Sequence, residues 1–380
     1  MNKLLIKLLQ VFCVGFMPLH FTAIDWAEKL QATRMWLDDM VSANIPRLWS
    51  KKTGFLDFLL NPSINPRTIE TVMLRNSNVD NYRDVQVRYT PHSGTDDLVT
   101  AEASMNCNAV DQKRDTIETV APSLVAEAKF TLNEQFVRQN AENGVGLQQR
   151  INREIMDARR KLIESIDSQL LTAAANAKGA NPAAGTGAAA WESIGLIYAA
   201  DGTVDARTFD RFVNDMEDNY VTGPFAMVGL GQARRYFNRL MVGSTFSDDG
   251  LNFQEVMSQF GMGFFKDHHT TAALGGADRV LLFAPGLAQY FQYNHWSGEF
   301  ALNHGDHIKT TFNDPVYPIR YDYQIRYDDN CSTGTGINGA WTHRLFVYFD
   351  LYTVPEAAWG DTYSAVNDFN GIVGYNITTS

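Results

Sequence analysis

The sequence predicts an α+β fold, and three observations carry that reading. A long amphipathic helix begins near Gly146. A polar, β-prone arm, from about Asn81 to Phe130, precedes it. Strands rich in aromatic residues close the chain.

The helix is read from its apolar stripe. Leu147, Ile151, Ile155, Leu162, Ile166 and Leu170 recur in steps of four and three, with Ala158 filling the gap. No Gly or Pro interrupts Leu147 to Asn176. At about 1.5 Å per residue such a rod runs roughly 40 Å. Arg150, Arg153, Glu154, Asp157, Arg159, Arg160, Lys161, Glu164 and Asp167 occupy the other faces. Their alternating signs predict a solvated, salt-bridged surface rather than a phosphate site.

The remaining elements follow in chain order. Lys3 and Lys7 precede the apolar run Leu8 to Met17, which reads as a secretory signal or as an amphipathic helix. Residues 24–60 suggest short helices, with Trp26, Leu30, Met35, Trp36 and Met40 at near-helical spacing. The apolar patch Phe55 to Leu60 stops at Asn61-Pro62, and Asn65-Pro66 follows as a second turn signal. From Thr68 the pattern is extended: Val85, Val87 and Tyr89 alternate with Gln86, Arg88 and Thr90. Pro91-His92-Ser93-Gly94 reads as a turn, with strand-like pieces at Val99 and at Thr116 to Val120. This region has few large apolar residues, so it must lean on another surface.

Ala173 to Ala190 reads as a small-residue link. Beyond it, Phe209, Phe212, Val213 and Met216 form a helix face, and Gly223-Pro224 ends it. Phe225 to Leu230 and Arg279 to Phe283 read as buried strands. Gln232 to Met241, Phe253 to Phe260 and Leu287 to Tyr290 read as helices. That alternation argues a compact mixed domain. Val316 to Tyr327 places Tyr317, Ile319, Tyr321, Tyr323, Ile325 and Tyr327 on alternate positions. Trp341 to Thr353 is apolar on both faces, as a central strand should be. The tail beyond Trp359 is polar and reads as a surface strand or arm.

A chain of 380 residues suggests two or three structural units. Its net charge of −11 argues against free nucleic-acid recognition, while permitting a protein that encloses DNA without gripping it. Cys13, Cys107 and Cys331 are too few and too scattered for a disulfide framework or a metal knuckle. No P-loop, GxGxxG, GxSxG or HExxH motif occurs. Asp267-His268-His269, and His304 and His307 with His295 upstream, invite a metal reading. Adjacent histidines such as His268 and His269 would face opposite ways on a strand. The His304 to His307 stretch is loop-like, with Gly305 inside it. Surface polar loop residues are therefore the preferred reading, and no metal, cofactor or catalytic residue is expected. Aromatic strands read as core and subunit contacts before a ligand cleft. Asn330-Cys331-Ser332 and Asn376-Ile377-Thr378 match glycosylation acceptors, relevant only to a secreted protein.

Taken in order, these parts resemble a tailed-bacteriophage major capsid protein of the Hong Kong 97-type fold. The resemblance covers nearly the whole chain. It implies an N-terminal arm (1–80), an E-loop hairpin (81–130), and a peripheral domain with spine helix and hinge (131–205). A mixed axial domain (206–315) follows, then returning peripheral strands with a C-terminal tail (316–380). Val354-Pro355-Glu356-Ala357-Ala358 is similar to the ending common after the family's last strand. The implied function is structural: a homo-oligomer assembling as pentamers and hexamers into an icosahedral shell around phage double-stranded DNA. Such a shell is built in the host cytoplasm, without membrane, with scaffolding, portal and decoration proteins as further partners. The implied inter-subunit contacts are Tyr89, Pro91, His92, Gly94 and Asp97 on the hairpin and Arg150, Arg153 and Arg160 on the helix. Some family members crosslink a lysine to an asparagine of a neighbour. Lys113 and Lys129 are not at the hairpin tip, so no crosslink is carried over. The alternatives are a secreted or surface-located ligand-binding protein and, last, a metal hydrolase built on His295, His304 and His307.

Overall fold

The computed structural model describes residues 51–73, 84–89, 115–141, 144–179, 190–195, 207–218, 223–230, 262–296, 302–304, 307–332, 338–354 and 370–378, with helical residues between 29 and 36 and the single residue Val221. In chain order its elements are α1 (Gly54–Leu59), β1 (Glu70–Met73), β2 (Val85–Tyr89), β3 (Thr116–Val120), β4 (Leu124–Asn133), α2 (Glu134–Ala141) and α3 (Gly144–Ala177). Then come β5 (Glu192–Gly195), α4 (Arg207–Glu217), β6 (Phe225–Gly229), β7 (Met262–Lys266), α5 (Thr270–Ala273), β8 (Arg279–Phe283) and β9 (Ala288–Tyr293). The chain closes with β10 (Leu302–His304), β11 (His307–Asn313), β12 (Arg320–Ser332), β13 (Asn338–Thr353) and β14 (Ile372–Thr378). The fold is α+β.

The described strands form three sheets. One has the order β1-β2-β3, and another β5-β14-β8-β6-β7. The six-stranded sheet runs β10-β11-β12-β13-β4, and β9 also pairs with β13. The chain divides into two units. One comprises Met1–Leu48, Lys129–Ala158 and His295–Leu345, the other Trp49–Ala128, Arg159–Asn294 and Phe346–Ser380.

In the first unit the stripe Leu147, Ile151, Ile155 and Ala158 is buried, as its spacing requires. The period of two in β12 also holds: Ile319, Tyr321, Tyr323 and Ile325 are buried, with Arg320 and Arg326 exposed. Its exception is Asp322, which is fully buried and accepts the backbone N–H groups of His295 (2.7 Å) and Trp296 (3.3 Å). A carboxylate with two such donors is tolerated inside. His343 of β13 is likewise buried; its Nδ1 meets the Tyr323 hydroxyl at 2.6 Å, and its ring stacks on Phe130 at 4.6 Å.

The second unit is built around the five-stranded sheet. All five residues of β6 are buried, and so are Val280 to Phe283 of β8. The segment from Thr53 to Thr68 is sewn into this core. Phe55 and Phe58 pack on Phe283 with centroids 5.0 and 5.4 Å apart. Asn65 donates to the Ala288 carbonyl at 2.8 Å and accepts from the Gly286 N–H at 2.7 Å. Gly286 has φ +84°, and a Cβ there would stand 2.8 Å from Thr68, so the turn before β9 needs glycine on both counts. Val85 and Val87 of β2 join the core cluster, with Met73, Tyr89 and Val120 packed against it. The β1-β2-β3 sheet thus leans on the second unit, as its polar composition requires.

Several expectations are corrected. Leu287 to Tyr290 is not a helix: β9 begins at Ala288 and pairs antiparallel with β13, Tyr293 opposite Tyr348. Its Tyr, Phe and Gln residues suit a sheet interior once Gln289 is satisfied by the carbonyls of Pro66 and Gly286, both at 3.0 Å. The C-terminal piece is not a surface arm. β14 lies between β5 and β8, with Ile372, Val373, Tyr375 and Ile377 buried. The link expected from Ala173 starts later, because α3 continues to Ala177; alanine is the best helix former, and Ala174 and Ala175 are buried. The charged faces of α3 are not wholly solvated: Arg159 and Asp167 are buried. The expected helices at 232–241 and 253–260, the turn at 91–94, the strand at Val99 and the apolar N-terminal run lie outside the described residues.

Candidate functional site

The densest chemistry in the second unit is a carboxylate–histidine cluster at the start of α1. α1 opens after Thr53, which makes no side-chain cap. Its first N–H groups have no partner within the helix and must find acceptors elsewhere. Asp267, in the turn after β7, accepts the Phe55 N–H through Oδ2 at 3.0 Å. Asp167 of α3 accepts the Leu56 N–H through Oδ1 at 3.0 Å. Both carboxylates are fully buried. Gly54 is needed for this approach, since a Cβ there would lie 2.5 Å from the Lys266 carbonyl oxygen.

His269 holds the two acids together. Its Nδ1 lies 2.7 Å from Asp167 Oδ2 and 3.5 Å from Asp267 Oδ1. Its backbone N–H donates to Asp267 Oδ1 at 2.7 Å. Hydrogen bonds to Asp167 and then Asp267 push the His269 imidazole up to about 9, so it is a cation at neutral pH. Burial drives Asp167 well above the ordinary carboxylate range, against the His269 bond. Burial acts on Asp267 in the same direction, but the hydrogen bonds from the His269 ring, Asp167, and the Phe55 and His269 backbones outweigh it and leave it lowered. Asp267 therefore carries the negative charge most firmly, and Asp167 is the first of the two to take up a proton.

The three ligand-type atoms lie within 4.8 Å of one another, a spacing that a metal ion could bridge. The donor set argues otherwise. Every carboxylate oxygen already accepts a hydrogen bond from Leu56, Phe55 or His269. The arrangement is complete as an internal ion pair that caps a helix. His268 turns the other way: its Nδ1 accepts the Lys52 N–H at 2.8 Å. Adjacent histidines thus point apart.

The other histidines form no comparable group among the described residues. His304 and His307 are paired across the β10–β11 hairpin. His307 Nε2 meets the Gln324 amide nitrogen at 2.9 Å, and His295 contributes its backbone N–H to Asp322. Asn376, in the acceptor-like triplet, sits in a strand paired on both sides.

Of the expected assembly residues, Tyr89 is half-buried against the core, with its strand's outward positions taken by Gln86 and Arg88. Arg150, Arg153 and Arg160 are exposed on α3, and Arg150 pairs with Glu154 at 2.5 Å. Pro91, His92, Gly94 and Asp97 lie outside the described residues. Sequence reasoning missed the outward face of β1-β2-β3. Register places Val72 opposite Gln86 and Ile117 opposite Arg88, on the side away from the core. Val72 is 51% and Ile117 52% exposed. The signal was present for Ile117, an apolar residue between Thr116 and Glu118 whose neighbour Glu118 faces inward to the Tyr352 hydroxyl at 2.8 Å.

No family model and no curated protein matches this chain. Among solved structures it is similar to the capsid asymmetric unit of cyanophage A-1(L), with 13% identity, 87% of this chain and 94% of that chain covered, and a TM-score of 0.46. It is similar to the capsid structure of cyanophage P-SCSP1u, with 9% identity, 87% and 90% covered, and a TM-score of 0.42. It is also similar to the head structure of Helicobacter pylori bacteriophage KHP40, with 9% identity, 80% and 86% covered, and a TM-score of 0.41. Each of these three solved structures is a bacteriophage capsid or head structure.

Proposed function

We propose that this chain is a structural major capsid protein. Its subunits self-assemble as pentamers and hexamers into an icosahedral shell that encloses phage double-stranded DNA. The observation that carries the reading is the β1-β2-β3 sheet. Its inner face is used on the core of its own unit, and its outer face presents Val72 and Ile117 beside Arg88 and Glu70. Exposed apolar residues among charged ones suit burial on a neighbouring subunit. The 34-residue α3 gives such a subunit a rigid beam. The domain roles belong to the same proposal: arm, E-loop, spine-bearing peripheral domain, axial domain and returning strands. So do the contacts at Tyr89, Arg150, Arg153 and Arg160, and the absence of a catalytic role. A net charge of −11 suits an enclosure that does not adhere to DNA.

Size-exclusion chromatography with negative-stain electron microscopy tests the reading. Rings or closed particles are expected. A protein that stays monomeric across concentration and salt would overturn it.

A further inference from the structure

The turn after β7 grips the chain ahead of α1 at a second place, and there the grip depends on a histidine. Lys52 and His268 are joined by a reciprocal pair of hydrogen bonds. The His268 backbone N–H donates to the Lys52 carbonyl at 3.1 Å, and the Lys52 N–H donates to His268 Nδ1 at 2.8 Å. The second bond fixes the state of the ring. Only an unprotonated Nδ1 has a lone pair to accept with, so the imidazole is neutral and its hydrogen sits on Nε2. A further proton turns Nδ1 into an N–H aimed at another N–H. Two donors cannot bond, so this half of the pair must open. His268 is exposed, so a proton reaches it without unfolding. The next grips on the same segment are of another kind. Phe55 and Leu56 donate to the carboxylates of Asp267 and Asp167, and neither bond uses His268.

We propose that His268 is a proton-operated latch on the chain at Lys52. Neutral, it holds the segment that leads into α1. Protonated, it lets that segment go while α1 stays capped. The charges around it are Lys266 at the end of β7, Asp267 and His269 in its own turn, and Lys52 opposite. Lys51, beside Lys52, pairs with Glu164 of α3 at 3.7 Å. Burial, and then the Lys266 charge, lower the His268 imidazole from its ordinary 6.5; His269 and Lys52 act the same way and Asp267 acts against them. The folded value lies below the unfolded one. The latch is therefore fully present above pH 6.5 and is lost as pH falls through the lowered value. His269, at about 9, stays charged throughout this range. Asp167, which burial raises, faces Leu56 and His269 and makes no bond to Lys52.

Amide hydrogen exchange on the full chain at pH 8, 7, 6 and 5, normalised for chemical exchange and resolved to the Lys52 amide, tests this. Native Lys52 is expected to lose about fivefold in protection between pH 8 and pH 5, the worth of one neutral hydrogen bond, with amides of β6 and β8 unchanged. His268→Asn keeps an acceptor oxygen near the place of Nδ1 that no proton blocks, so Lys52 should stay protected at every pH. His268→Ala removes the acceptor and should leave Lys52 poorly protected at every pH. A native Lys52 profile that is flat with pH would overturn the latch, as would an alanine variant as well protected as the native chain at pH 8. So would a pH dependence that survives in His268→Asn, which would move the response to the Asp167 cluster.

Discussion

A buried carboxylate is stable only if donors replace its water, and Asp167 takes its donors from two other elements, α1 and the turn after β7. Asp167→Ala should cost about 2–4 kcal/mol, because it leaves the Leu56 N–H and the His269 cation without their partner. Asp167→Asn should cost less, since an amide oxygen still accepts from Leu56. Urea denaturation of unassembled subunits measures both; an Asn variant as unstable as the Ala variant would mean that charge outweighs the cap. His343 ties stability to pH. Burial holds its imidazole down, to about 3. The unfolded chain therefore binds this proton first, and the stability present above pH 6.5 is lost progressively as pH falls toward 3. By pH 4 the loss should reach about 3 kcal/mol. Melting curves of the native chain against His343→Gln isolate it: the native protein should lose its advantage on acidification, and parallel curves would contradict the assignment.

At the scale of elements, α3 is a beam whose stripe must stay dry. Ile155 is fully buried, so Ile155→Asp should destabilise by several kcal/mol through an unpaired buried charge. The exposed Arg153 is the proper control, and Arg153→Ala should fall within about 0.5 kcal/mol of the native chain; equal tolerance of both changes would show that the stripe is not core. The β2–β3 hairpin has the reverse character. Val85 and Val87 anchor its base in the core, while the tip connection carries few large apolar residues. Replacing Pro91 to Asp97 with a short Gly/Ser link should leave circular dichroism and Tm nearly unchanged and reduce particle yield. Loss of folding in that variant would place the tip inside a core.

On the scale of the whole molecule, the proposed assembly would couple stability to protein concentration. A surface that is buried only between subunits stabilises the assembled state by mass action. The apparent Tm of concentrated, assembled protein should therefore exceed that of dilute subunits by several degrees. Scanning calorimetry over a hundredfold concentration range reads this directly. An unchanged Tm alongside visible particles would mean that the contacts bury little.

Local regularities in the sequence were enough for α3 and β2, where a period marks one apolar face, for β6, β8 and the core strand β13, where an unbroken apolar run marks a buried strand, and for the β-prone run of β3. They were enough for the polar hairpin as well, since composition alone denies it a core. They failed where a residue's partner is far away in the chain. Asp167 reads as one more charge on a solvated helix face until α1 and His269 are brought to it from 111 and 102 residues away. β9 reads as a helix start, since Pro285-Gly286 opens it, and only pairing with β13 makes it a strand. β14 reads as a polar tail, and only its place between β5 and β8 buries it. Periodicity reports which face of an element is apolar. Which distant element supplies a buried charge with its donors, or a strand with its neighbours, is settled by tertiary structure, because a hydrogen bond depends on where the chain returns and not on its spacing.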